Sequence, residues 1–468
     1  MTERLNAEVV VAGHICLDVI PAMQARKDGM GAILVPGKLV DIGAAVISTG
    51  GAVSNTGLAL HRLGVAAKLM GKIGDDLFGG AILDVLQGYG KELAAGMIVA
   101  EGEHTSYTLV ISPPNIDRIF LHCTGANDTF TADDLKVEAL SGARLFHFGY
   151  PPLMRQMYAG GGEELAGLLA RVKEAGLTVS LDLAKPDPES PAGQADWRSI
   201  FVKALPFVDV FLPSFEEILY MLRREEYDRL TAVHGTSDLL PFAEGLLLRE
   251  LSGELLELGA SIVGLKLGEH GLYLRTTDDR AKLEAMGAGA PPSVDAWLGR
   301  ELLVPCFEVE VAGTTGAGDC TIAGFLAGLL KGLRPEDVLN GAVAVGACNV
   351  EHADATSGVP AWEAVQQRMA AGWRRRPVRL SLPGWRSGVE GDAAGRSLGV
   401  GVEGAVGEVS GFGVAGVEGV VGEARGVGVA GAVGEASGVG VASVEGVVGE
   451  ASGFGVAGIW YGPEETFE

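Results

Sequence analysis

An aspartate inside a glycine-rich turn is the first residue in this chain whose surroundings could do chemistry. Residues 313–319 read Gly-Thr-Thr-Gly-Ala-Gly-Asp, and an apolar run to Leu330 follows, closed by Lys331 and Gly332. Lysine in the last turn and glycine just beyond it are a helix stop. Upstream, Phe307, Val309 and Val311 alternate with Glu308 and Glu310, which predicts a strand. A strand, a glycine turn and a helix make an anion site, because the first N–H groups of a helix lack internal partners and sit at its positive end. Gly316 and Gly318 let those groups approach a phosphate unobstructed. A carboxylate there would repel a merely bound anion. Asp319 makes sense if it takes a proton from a hydroxyl while the N–H groups of Gly316, Ala317 and Gly318 hold the phosphoryl group in transit. Asp319 could equally cap a buried helix, and these residues alone leave both readings open.

Four other places carry candidate chemistry. The apolar stretch Val9–Leu17 runs out to Asp18, and ligands of open α/β sheets gather at the carboxyl ends of strands. Gly50 and Gly51 precede Asn55 at the start of a helical pattern that ends at Gly64. Glu217 falls in the first turn of a helix after Pro213-Ser214, where an acid is also favourable for electrostatic reasons alone. The strand Ile262–Leu267 leads into Lys266-Leu267-Gly268-Glu269-His270-Gly271, and Lys266 could neutralise phosphate charge.

These residues need a scaffold, and from Arg144 onward the chain supplies one. Short apolar strands at Leu145–Phe148, Leu177–Leu183 and Val208–Leu212 alternate with helical stretches, which predicts a parallel sheet. Small residues from Asn340 to Asn349 predict a helix packed tightly against Gly324 and Gly328. Residues 20–48 read as lid strands, with pieces at Ile33–Val35, Leu39–Ile42 and Ala44–Ile47, and residues 104–123 read as a hairpin.

The order and spacing of these blocks resemble the ribokinase-like (PfkB) carbohydrate kinases. G-G-x-x-x-N at 50–55 is similar to that family's first signature, and G-T-T-G-A-G-D at 313–319 to its second. The resemblance implies a three-layer α/β sandwich with a mostly parallel central sheet and a small β lid. It implies a kinase domain over residues 1–376, with lid strands near 20–48 and 104–123. It also implies ATP-dependent phosphorylation of a hydroxyl of a sugar or sugar-like molecule. Asp319 would then be the general base and the Gly316-Ala317-Gly318 backbone the anion hole. Asp18, Gly50, Gly51, Asn55 and Asn127 would hold the substrate, while Ser214, Lys266, Gly268, Gly271 and Thr315 would hold ATP. Glu217 would orient Mg2+ through water. Three residues depart from the pattern: Cys16 and Ser214 stand where asparagine is usual, and Gly313 where the family has an aspartate that helps bind potassium. A potassium site is therefore doubtful. A nucleoside kinase of the same fold and a non-catalytic sugar sensor are the rival readings. The resemblance also implies a homodimer through the lid.

Of the 468 residues 47% are hydrophobic, enough for a large core, and no apolar run reaches the ~20 residues of a membrane helix. A net charge of -24 argues against nucleic acid or an anionic membrane as partner. The five cysteines are scattered without a C-x-x-C pair, and the first strand follows charged residues rather than a signal sequence, so a reducing cytoplasm is expected. After Arg376 the composition changes to glycine, valine, alanine and glutamate, with Val-Gly-Glu recurring at Val406, Val421, Val433 and Val448. With few large apolar side chains to offset the ordering of so much glycine, residues 377–468 are expected to be a low-complexity, disordered tail.

Overall fold

The computed structural model describes residues 7–23, 35–112, 119–388 and 458–463. In chain order the strands are β1 (Val9–Gly13), β2 (Cys16–Pro21), β3 (Ala45–Gly50), β4 (Ala67–Met70), β5 (Lys72–Gly74), β6 (Ile98–Ala100), β7 (Tyr107–Ile111) and β8 (Ile119–Cys123). There follow β9 (Leu145–Gly149), β10 (Thr178–Leu181), β11 (Val210–Phe211), β12 (Ile262–Lys266), β13 (Leu272–Thr276), β14 (Glu301–Val304), β15 (Arg386–Ser387) and β16 (Trp460–Tyr461).

A ten-stranded sheet runs β15-β16-β14-β13-β12-β11-β10-β9-β1-β4, parallel from β12 to β4 and antiparallel beyond. Strands buried on both faces must be apolar throughout, and β1 (Val-Val-Val-Ala-Gly) is buried at every residue. A smaller sheet, β3-β2-β7-β8, forms the lid. This is the expected α/β architecture with a large, mostly parallel sheet and a lid.

One cluster of buried side chains packs on each face of the large sheet. The helix Ala317–Leu330 lies against the helix Pro335–Val350. A Cβ on Gly324 would stand 2.9 Å from Ala342 Cα, so the two backbones meet where only glycine fits, as the small-residue pattern predicts. Among the described residues no helix is long and apolar enough to cross a membrane.

Four sequence expectations are corrected. The stretch Val9–Asp18 is not one strand: it breaks at His14-Ile15, where the chain leaves the large sheet (β1) for the lid (β2). The break is held by Asn127, which accepts from Ile15 N at 3.2 Å and donates to Ile15 O at 2.9 Å. In the lid, β2 and β3 replace the shorter pieces read from 20–48. Residues 39–42 form no strand, and of Ile33–Val35 the first two residues lie outside the described residues. The alternation at 307–311 produces only an isolated bridge between Phe307 and Arg375, because the strand ends at Val304, ahead of Pro305, which has no N–H to offer a ladder.

Finally, the boundary at Arg376 falls short of the last two strands of the large sheet, β15 and β16, so the described residues beyond it belong to the same compact unit. Residues 458–463 supply β16, with Ile459 fully buried and Gly462 N donating to Glu301 O at 2.9 Å. The expected disordered tail otherwise falls at 389–457 and 464–468, outside the described residues. The loop of the 104–123 hairpin, 113–118, also lies outside them, while its two strands pair antiparallel as expected.

Candidate active site

A single cleft of about 1530 Å³ runs between lid and large sheet, and it collects the carboxyl ends of β1, β9, β10 and β12. Gly316 caps the helix Ala317–Leu330 in the left-handed region (φ 70°), where a side chain would strain the backbone and press on Ala355. The helix therefore starts with Ala317 and Gly318 facing the cleft, and Asp319 in its first turn. Asn349 Nδ2 donates to Thr315 O at 2.9 Å and steadies the turn.

Asp319 is buried, and three side chains donate to it. Asn55 Nδ2 reaches Oδ2 at 3.0 Å, Thr56 Oγ1 reaches Oδ1 at 3.4 Å, and the Tyr150 hydroxyl lies 2.8 Å from both oxygens. Asn55 and Thr56 come from the helix Ala52–Arg62, whose cap Gly51 takes φ 85°. Burial raises the Asp319 pKa, against the opposing pull of Lys266 and these hydrogen bonds. A group of this kind is a base that loses its proton in a higher range than a surface carboxylate.

Lys266, at the end of β12, donates from Nζ to Asp182 Oδ1 at 2.6 Å. Gly318 lies against the lysine stem, where even a Cβ would sit in ordinary contact at 3.6 Å. Asp182, Glu217 and Asp319 all surround this one ammonium. Burial raises each carboxyl pKa, and although burial opposes its charge the three acids raise the Lys266 pKa too. One cation cannot neutralise three acids, so both directions follow together. Asp182 is fully buried and its Oδ2 has no partner. Glu217 forms a reciprocal capping box: its carboxylate accepts from Ser214 N at 2.7 Å, while Ser214 Oγ accepts from Glu217 N at 3.3 Å. Surplus negative charge with an orphaned oxygen suits a hydrated divalent cation such as Mg2+.

At the other end of the cleft Asp18 is half-buried, with the Cys16 thiol donating to its Oδ1 at 3.4 Å. Burial raises its pKa. Gly50 does not line the cleft, and its part is clearance, since a Cβ there would collide with the Asp18 carboxylate. Asn127 does not reach the cleft either. It is fully buried, with both side-chain groups bonded to backbone at Ile15 and Thr124, so it braces the β1–β2 break. Gly268 and Gly271 line the cleft beyond Lys266. Gly313 is hemmed in: a Cβ would lie 2.9 Å from Ala353 O and 3.1 Å from His352 O, so an aspartate there would displace that backbone.

The chain belongs to the pfkB family of carbohydrate kinases. The family model matches residues 6–362, which takes in all the cleft-lining residues except Arg376, and the protein is accordingly a phosphotransferase. A protein of Archaeoglobus fulgidus described as an uncharacterized sugar kinase is 26% identical over 291 residues, 62% of this chain and 94% of that one. The fold is similar to that of a Xylella fastidiosa fructokinase with bound ATP (TM-score 0.57, 20% identity, 78% of this chain and 98% of that chain). It is also similar to an Arabidopsis thaliana ribokinase complexed with ribose and ATP (TM-score 0.57, 18% identity, 77% and 98%).

Two members of this pfkB site carry no role in the sequence reading. Tyr150 is the only non-glycine among the described residues with positive φ (64°), a strained conformation that aims its hydroxyl at Asp319. Asp182 falls near the end of the stretch Leu177–Leu183, which the sequence marks only as a strand. The carboxyl-end rule that picks out Asp18, applied equally to β9 and β10, points at both.

Proposed function

We propose that this protein transfers the γ-phosphoryl group of ATP to a hydroxyl of a sugar or sugar-like acceptor. The observation that carries the reading is a buried Asp319 at the start of a 14-residue helix, held by three side-chain donors from two parts of the chain and beside Lys266. Asp319 takes the acceptor proton as the oxygen attacks, and the N–H groups of Gly316, Ala317 and Gly318 meet the charge on the transferring group. The Tyr150 hydroxyl, donating to both Asp319 oxygens, occupies the hydrogen-bonding position that an acceptor hydroxyl would take, and yields it when substrate binds.

Lys266 offsets phosphate charge in a protein of net charge -24. Asp182 and Glu217 would hold Mg2+ through water, and the ion supplies charge neutralisation on the phosphates. Asp18 and Gly51 position the acceptor, while Ser214, Gly268, Gly271 and Thr315 border the nucleotide. Lid closure excludes water, the competing acceptor. Val46, Ile47, Phe120 and Leu121 are exposed apolar side chains on the lid strands, and covering them supports a lid-to-lid homodimer. The absence of paired cysteines supports a cytoplasmic setting.

The test is ATP turnover across a panel of sugars and nucleosides, repeated with Asp319→Asn. Replacement is expected to lower turnover by ~100-fold or more while nucleotide binding persists. Turnover within a fewfold of wild type would remove Asp319 from the role. Turnover confined to nucleosides would move the acceptor class, and acceptor binding without turnover would leave a sensor.

A further inference from the structure

The acceptor end of the cleft holds donor atoms that phosphotransfer does not use. His14 lies at the break between β1 and β2, Cys16 opens β2, and His122 stands on the exposed lid strand β8. One ligand atom from each, a ring nitrogen of both histidines and Cys16 Sγ, lies within 4.8 Å of the other two. His14 Nε2 and His122 Nε2 are 3.2 Å apart. A tetrahedral zinc ion with Zn–N bonds of about 2.0–2.1 Å holds two imidazole nitrogens roughly 3.3 Å apart, so this pair already has the spacing.

The surroundings are also those of a metal ligand set. Metal-binding histidines are oriented by a partner on the other ring nitrogen, and His122 Nδ1 has Thr108 Oγ1 at 3.0 Å. The same hydroxyl lies 3.5 Å from Cys16 Sγ. His14 is 1% exposed, so its ring is held in the protein interior with Nε2 turned to His122. Asp18 Oδ1, 3.4 Å from Cys16 Sγ, borders the remaining direction. Entry is open from the solvent side through β8.

We propose that His14, Cys16 and His122 form a binding site for a soft divalent cation of the zinc class, with its fourth position facing Asp18 and the cleft. Two imidazoles and a thiol select zinc over magnesium or calcium, which prefer oxygen. On binding, the Cys16 thiol gives its proton to solvent as the Sγ–metal bond forms, and the proton held between the two Nε2 atoms moves to Nδ1 of the ring that carried it, so that both rings stay neutral and both Nε2 lone pairs face the ion. No oxidation is involved. Because β8 is at the far edge of the lid sheet and His14 follows β1 of the large sheet, the bound ion ties lid to body at the acceptor end.

The full-length chain is titrated with Co2+ alone, without nucleotide or acceptor, so the result does not depend on the kinase reading. One equivalent is expected to give a thiolate-to-cobalt absorption band with tetrahedral d–d bands, bleached by Zn2+. Zn2+ alone is expected to raise the thermal unfolding midpoint. C16S and H122A should each weaken binding by ~100-fold or more, and T108V by ~10-fold. C123S, which removes the thiol next to His122 on β8, should leave it unchanged. Circular dichroism establishes that each variant is folded, and H122A, on an exposed strand, carries the test should C16S fail to fold. Absence of the band at one equivalent overturns the site. So does a band that survives C16S and H122A, or one lost in C123S.

Discussion

At the phosphoryl end of the cleft the groups offered to a ligand are chiefly backbone: the first N–H groups of the helix Ala317–Leu330, opened by Gly316, with Lys266 as the one cation among three acids. At the acceptor end they are side chains, His14, Cys16, Asp18 and His122, on a turn and two lid strands. The first end can serve any phosphoryl donor and depends on helix geometry. The second depends on which side chains the lid brings over, and there Cys16 replaces the asparagine usual in the family. On the proposed function, generic chemistry thus belongs to the sheet and helix, and selectivity to the lid.

The difference can be broken first at Lys266. Lys266→Met leaves Asp182, Glu217 and Asp319 without their cation, and is expected to destabilise the chain by about 3 kcal/mol at neutral pH, the scale of an orphaned buried charge. The sign with pH follows from the raised carboxyl pKa values. A group whose folded pKa lies above its unfolded value stabilises below the unfolded pKa and loses that contribution as pH rises through the folded one. The variant raises those values further, so its deficit should shrink as pH falls. Urea unfolding at several pH values measures this, and a deficit that grows on acidification would contradict the charge account.

At the acceptor end the corresponding cut is Asn127→Ala. It leaves Ile15 N and O without their partners and is expected to cost about 2 kcal/mol. Since Asn127 braces Asp18 and Cys16 rather than touching substrate, acceptor KM should rise more than kcat falls. Equal loss in both would mean that Asn127 meets the transition state.

Tyr150→Phe probes the point where the two ends meet. The Tyr150 hydrogen bonds pull the Asp319 pKa down, so their loss should move the acid limb of the pH–rate profile upward, with activity lost at a higher pH as acid is added. A limb that stays in place would show that another group sets it.

The smallest effect is expected with potassium. Gly313 offers no carboxylate and its space is filled by the 352–353 backbone, so turnover in potassium should stay within about twofold of that in sodium. A large rise specific to potassium would mean that carbonyls there form the site unaided.

The sequence alone pointed to the parallel sheet, the lid hairpin, the glycine turn with its helix, and to Asp319, Asn55, Lys266 and Glu217, which the fold brings to one cleft. Those features are local: periodicity, caps and glycine positions are written within a few residues of where they act. Tertiary structure decided the rest. Asn127 looked like a substrate ligand until its three hydrogen bonds to backbone used up its side chain, and no local pattern could report a partner 112 residues away. Val9–Asp18 read as one strand because burial is continuous along it, while the change of sheet at His14 depends on that distant brace. Tyr150 reaches Asp319 across 169 residues, and His122 reaches His14 across 108. The last strand, β16, lies beyond the glycine-rich stretch, where composition predicts no packing. Pairing with β14 and β15 and burial of Ile459 stabilise it, and those partners exist only in the folded sheet.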